Sequence, residues 1–187
     1  MLCKGGGGMS NKKAKNISLI ALFSAIIVIC SLITIPSGVP FTLQTFAIFL
    51  CLNLLGAEKG IFSILIYILL GVVGLPVFSG FNSGIGVLFN VTGGYIIGFI
   101  FSALTYWLIT SIFNKKTRKI INLIASFAGL LVCYIFGTLW YFLLFINNGD
   151  KISFVSALTV CVLPFTIPDI LKILLSITVS EKIKKYI

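Results

Sequence analysis

The chain has 187 residues, of which 59% are hydrophobic and 10% charged. A soluble domain carries about 25% charged and about 45–50% apolar residues, so a mean hydropathy of +1.17 excludes an ordinary soluble globule. It also excludes a disordered tail, and the 14 basic against 4 acidic residues are read first as a membrane-topology signal, not a nucleic-acid footprint.

Several chemistries are absent. There is no histidine, so Ser-His and Cys-His catalysis and His-ligated metals are excluded within this chain. The cysteines Cys3, Cys30, Cys51, Cys133 and Cys161 are odd in number and never in a CxxC spacing. Four lie in apolar runs and read as small core fillers. No GxxxxGK[ST] loop occurs, so ATP is not bound by that route. Neither a cofactor nor a nucleic-acid partner is expected.

Residues 1–10, with four glycines and a second methionine at Met9, read as a leader to be set aside from fold reasoning. Lys12, Lys13 and Lys15 then precede an apolar run at 17–35. That run is longer than a signal-peptide core of about 7–15 residues and lacks a small-x-small cleavage site, so it reads as a retained span. Five more apolar segments follow, near 41–56, 60–79, 91–113, 121–146 and 153–185. The second is short and the sixth is interrupted. Continuous apolar runs argue against a barrel, whose strands alternate. Residues 11–187 are therefore expected to form one all-α integral membrane bundle of six transmembrane helices in a cell membrane.

The connections alternate in charge. With Lys4 and the intramembrane Lys172 left aside, one side collects eleven basic residues and the other only Lys151. By the positive-inside rule both termini are cytoplasmic. Ala21 and Ala25, and likewise Gly94 and Gly98, are small residues four apart on one helix face. Such pairs allow close helix approach, either inside the bundle or against another membrane protein.

On the uncharged side, residues 36–45 and 74–95 are unusual. The second stretch has six glycines and no charge. Irregular backbone at this depth must be covered by protein or line a cavity. Its composition, with Gln44, Thr45, Asn82, Asn90 and Tyr95 as the polar groups, suits a small-molecule pocket better than a flexible loop.

The sixth segment contains Pro164, Pro168, Asp169 and Lys172. Each proline lacks an N–H, so a short apolar piece is expected before Pro164 and the true span from Pro168 onward. Asp169 and Lys172 share a helix face. Charges within spans are costly and face a cavity or the bundle interior. Two readings follow: an ion pair that sets helix packing, or a clamp in which Lys172 meets an anionic group and Asp169 accepts from ligand N–H donors.

Four blocks carry a family resemblance: Val39-Pro40-Phe41-Thr42-Leu43-Gln44-Thr45-Phe46, Gly71-Val72-Val73-Gly74-Leu75-Pro76-Val77-Phe78, Thr92-Gly93-Gly94-Tyr95-Ile96-Ile97-Gly98-Phe99, and Pro164-Phe165 with Asp169-Ile170-Leu171-Lys172. In this order they resemble biotin transporters of the BioY type, the substrate-binding (S) components of energy-coupling factor (ECF) transporters. The resemblance implies a six-helix bundle binding biotin near its outer face, and no enzyme activity. The implied partners are a transmembrane coupling protein (EcfT type) and two ABC ATPases, with the lipid bilayer around it. Ala21 and Ala25 resemble the docking motif for the coupling protein. The implied ligand contacts are Asp169, Lys172, Asn82, Gln44 and Tyr95, with Gly93 and Gly94 beside them. Lys172 is matched to the biotin carboxylate, Asp169 to a ureido N–H, and Asn82 or Gln44 to the ureido carbonyl. The opposite pose, with Lys172 at the ureido carbonyl, stays open. The only arginine, Arg118, is on the basic side, so a pocket arginine is not available. An S component for thiamine or riboflavin is the alternative.

Overall fold

A computed structural model describes residues 7–35, 39–113, 118–147 and 153–186 of the chain. Lys115 and Lys116, the Pro36-Ser37-Gly38 turn and the Asp150-Lys151 pair lie outside them. Seven α-helices run in chain order: α1 Gly7–Leu32, α2 Gln44–Leu55, α3 Ala57–Val72, α4 Gly93–Ile112, α5 Arg118–Asn147, α6 Phe154–Cys161 and α7 Leu163–Ile183. Between α1 and α2, β1 (Thr34–Ile35) and β2 (Phe41–Thr42) form a two-stranded antiparallel ribbon. Two 3₁₀ turns, Ser79–Phe81 and Ile85–Phe89, lie between α3 and α4.

Among the described residues, four helices are long and apolar enough to cross a membrane: Asn11–Leu32 within α1, α4, α5 and α7. A span needs about 20 residues for about 30 Å of hydrocarbon. At 1.5 Å per residue the 12 residues of α2 reach only about 18 Å. Its environment accounts for that: Gln44 to Asn53 are nearly all buried, and α1, α3 and α7 pack around it. A helix apolar on every side is a core helix.

Close contacts join the other helices. Ser63 Oγ donates to the Ile20 carbonyl at 3.2 Å, and Ser24 Oγ to the Ser63 carbonyl at 3.0 Å, tying α1 to α3. Gly94 and Gly98 face α5: a methyl at Gly94 would lie 2.3 Å from Trp140 Cβ, and one at Gly98 3.2 Å from Cys133 Sγ. This pair therefore packs inside the bundle. Ala21 and Ala25 are exposed, so theirs is a surface face. Cys51, Cys133 and Cys161 are buried free thiols, as apolar fillers would be. The outer surface is apolar, with Leu22, Phe62, Leu69, Leu108 and Leu131 all exposed.

The sixth segment corrects one expectation. It does break, at Val162 between α6 and α7, but the long helix starts at Leu163 rather than Pro168. The Thr166 N–H already reaches the Val162 carbonyl at 3.0 Å, one turn ahead of Pro168. Pro164 occupies the first turn, where an N–H has no helical acceptor anyway. Only Pro168 deletes a bond, the one that would reach Pro164. Asp169 and Lys172 consequently stand about 9 and 14 Å into the helix, deeper than a start at Pro168 would place them.

Candidate functional site

A cavity of about 670 Å³, mouth included, opens at the end of the bundle where α2, α4 and α7 begin. Three helix N-terminal ends contribute to its wall: Gln44 and Thr45 from α2, Thr92 and Tyr95 from α4, and Phe165 from α7, with Asp169 and Lys172 further along α7. Each such end carries a partial positive charge that favours acceptors. Ile96, Phe99, Leu130 and Cys133 supply much of the apolar wall.

The buried charges are held in a defined cradle. Lys172 Nζ lies 2.8 Å from Asp169 Oδ1, and the two side chains are 9% and 6% exposed. Tyr134, from α5, donates its hydroxyl to Asp169 Oδ2 at 2.7 Å. Lys172 also donates to the Thr42 carbonyl at 2.7 Å and sits 3.9 Å from the centre of the Phe41 ring. Phe41 in turn stacks on Phe165 at 6.0 Å. An ammonium over an aromatic face gains electrostatic stabilisation, more so when desolvated. The ribbon after α1 therefore supplies both a carbonyl and a ring to a cation on the last helix.

Two other lining residues carry buried donor groups without a hydrogen bond. Gln44 Nε2 and Tyr67 Oη are buried with no hydrogen bond among the described residues, and both residues line the cavity. Buried polar groups are nearly always satisfied, so each exception needs a reason. A ligand acceptor is such a reason.

The expected site residues divide clearly. Asp169, Lys172, Gln44 and Tyr95 line the cavity together; the Tyr95 hydroxyl also reaches the Cys161 carbonyl at 3.4 Å. Asn82 does not line it. Its amide donates to Ser79 O within its own exposed loop at 2.7 Å. Asn90 is likewise turned to local contacts, with Oδ1 accepting from the Val91 N–H at 2.7 Å. Gly93 and Gly94 act through backbone packing: a methyl at Gly93 would fall 1.8 Å from the Leu88 carbonyl oxygen. The glycine-rich stretch contributes Ser79 and Thr92 to the wall, and its turns depend on positive φ at Gly80 and Gly84. Sequence reasoning did not find Tyr134, Tyr67 or the ribbon contacts. A phenol in the middle of an apolar run, which needs a partner once buried, was the available signal for both tyrosines.

The model of the BioY family matches residues 8–187. The chain belongs to the BioY family. It is 38% identical over 173 residues to a probable biotin transporter BioY of Pyrococcus horikoshii, covering 92% of this chain and 98% of that one. It is 40% identical over 169 residues to the biotin transporter BioY2 of Lactococcus lactis, covering 89% and 88%. The fold is similar to a crystal structure of the S component for biotin from an ECF-type ABC transporter. The TM-score is 0.81 at 25% identity, covering 98% of this chain and 95% of that one.

Proposed function

We propose that this BioY-family chain is the membrane S component that captures biotin from outside the cell for ATP-driven uptake by an ECF transporter. It is a multi-pass protein of the cell membrane and a transporter subunit, not an enzyme. The observation that carries the reading is a buried Asp169–Lys172 pair opening on a cavity, in a chain similar over nearly its whole length to biotin transporters. The same similarity disfavours thiamine or riboflavin as the cargo.

The geometry bears on the pose. With 2.8 Å between their charged atoms, Lys172 and Asp169 address one end of a ligand, not two. Biotin's ureido group offers a carbonyl acceptor flanked by N–H donors. An adjacent ammonium and carboxylate complement that edge: Lys172 donates to the carbonyl and Asp169 accepts from the N–H. Gln44 and Tyr67 then offer donors to the remaining acceptors of the guest, the carboxylate included. Asn82 has no role in this pose.

Six membrane-crossing elements follow if α1 to α5 each cross and α6 and α7 make one broken span. The Lys119–Glu181 ion pair, at 3.0 Å, ties the start of α5 to the end of α7, away from the ligand cavity. With the basic residues gathered at that end, the positive-inside rule favours cytoplasmic termini and an outward-facing cavity. ATP hydrolysis then belongs to partners: two ABC ATPases and a transmembrane coupling protein, met through the exposed Ala21–Ala25 face. A thermal-shift series in detergent with biotin, desthiobiotin, thiamine and riboflavin tests the cargo. Stabilisation is expected from the first two only; a shift with thiamine or riboflavin alone would overturn the reading.

A further inference from the structure

The opposite end of the bundle holds a second cavity, of about 590 Å³ with its mouth. Its polar lining comes from Asn53, Tyr106, Thr110, Arg118 and Asn122. Asn53 is fully engaged: it accepts from the Tyr106 hydroxyl at 3.2 Å and donates to the Phe49 carbonyl at 2.8 Å and to Ser126 Oγ at 3.3 Å. Asn122 is not. It is 8% exposed, yet its side-chain amide has no hydrogen bond among the described residues. That amide reaches the cavity without such a hydrogen bond and is open to a guest.

Arg118, the only arginine in the chain, lines the same space and makes no ion pair or hydrogen bond among the described residues. Glu181 at this end is already held by Lys119. The positive charge of Arg118 is felt nearby: Lys184 is held below the ordinary lysine range by burial first and Arg118 second, against the opposing pull of Glu181. The cavity adjoins a shallow groove sharing Gly56, Ala57 and Thr110, which reaches Trp107 on α4. Glu58 and Lys59 both border the groove and offset each other in charge. Trp107, Ile112 and Phe113 are exposed apolar side chains on a helix long enough to cross a membrane.

We propose that this second cavity binds the phosphate of an anionic phospholipid headgroup, with the acyl chain lying along the exposed face of α4. A guanidinium grips a phosphate bidentately, and the Asn122 amide adds a directed donor. Basic pockets between membrane helices take such headgroups. The proposal is independent of what occupies the first cavity.

Native mass spectrometry of the delipidated full chain tests it, with phosphatidylglycerol, phosphatidylcholine or inorganic phosphate added. The wild type should retain phosphatidylglycerol at least fivefold over phosphatidylcholine. Arg118→Gln, and more weakly Asn122→Ala, should lose that preference while keeping biotin-induced stabilisation. Lys13→Gln, which removes an exposed charge on α1, should not lose it. Equal retention by wild type and Arg118→Gln overturns the site. Equal loss in Lys13→Gln overturns it too, since the attraction would then be general. Stabilisation by inorganic phosphate without a lipid preference overturns the lipid source.

Discussion

The Asp169–Lys172 pair supports two tasks, holding helices and holding a guest, and a charge-removal series separates them. Both side chains are under a tenth exposed, so removing either one strands a buried charge. That loss is typically about 3–5 kcal/mol of stability. Lys172→Met leaves Asp169 with only the Tyr134 hydroxyl; Asp169→Asn leaves Lys172 with the Thr42 carbonyl and the Phe41 ring. Removing both charges together strands nothing, and replacing a whole buried pair is often neutral or stabilising. The double variant should therefore melt near the wild-type temperature while each single variant melts well below it. Binding should behave differently. Each charge-assisted hydrogen bond to the ureido edge is worth about 1.5–3 kcal/mol. Losing both should weaken biotin by about two to four orders of magnitude, at 1.4 kcal/mol per tenfold. Calorimetry in detergent measures the affinity, and differential scanning fluorimetry the stability. Repeating the titration with biotin amide should give the same loss, because the pair reads the ureido end. A double variant that binds biotin within threefold of wild type would show that the pair serves packing alone. A loss seen with biotin but not with the amide would return Lys172 to the carboxylate.

Three further outcomes are expected. Tyr67→Phe removes a buried hydroxyl that lies beside Ser31 and Gln44 without a well-formed hydrogen bond among the described residues; the empty protein should melt within about 1 kcal/mol of wild type, while biotin affinity falls about fivefold. Asn82→Ala touches only the contact to Ser79 within an exposed loop and should change affinity by no more than about twofold, the reach of about 0.5 kcal/mol for surface substitutions. Ala25→Leu, on an exposed face, should leave melting temperature and biotin affinity unchanged yet reduce co-purification with the coupling protein; unchanged co-purification would move the docking surface elsewhere.

The helices were legible because hydrophobic length is a direct consequence of what the bilayer excludes. α4 and α5 match their apolar runs to within three residues at each end. The last helix begins at Leu163, five residues before the start expected at Pro168. Pro164 and Pro168 are four apart in the first two turns, so the helix loses only one bond. The buried pair could be read from residue type alone, since an acid and a base three apart in an apolar run have few other places to go. Asn82 could not be read. A side chain in a glycine-rich loop points where the turns aim it, and the positive φ at Gly80 and Gly84 is set by local turn geometry. Tyr134 was hidden for another reason: its partner is 35 positions away, and no local pattern marks it.

The irregularities of this fold coincide in space. A helix break at Val162, a two-stranded ribbon, two 3₁₀ turns, a buried ion pair and two of the three buried polar atoms without a hydrogen bond among the described residues border or adjoin one cavity; the third, Ser102 Oγ, lies between α4 and α5. Each is costly by the rules that govern the rest of the bundle, where Ser24 and Ser63 tie α1 to α3 and Gly94 and Gly98 let α4 and α5 approach closely. Folding alone favours filling the space with leucine, which needs no partner and strands no charge. The groups present instead are arranged by chemistry: a cation beside an anion, two donors without a hydrogen bond among the described residues, and aromatic and aliphatic surface around them. Such a wall is unsatisfied when empty and complementary to a molecule that is polar at both ends and apolar in its middle. On the proposed function, the stability forgone at this end gives the site its selectivity, because a guest lacking either polar end leaves the matching groups buried and unpaired.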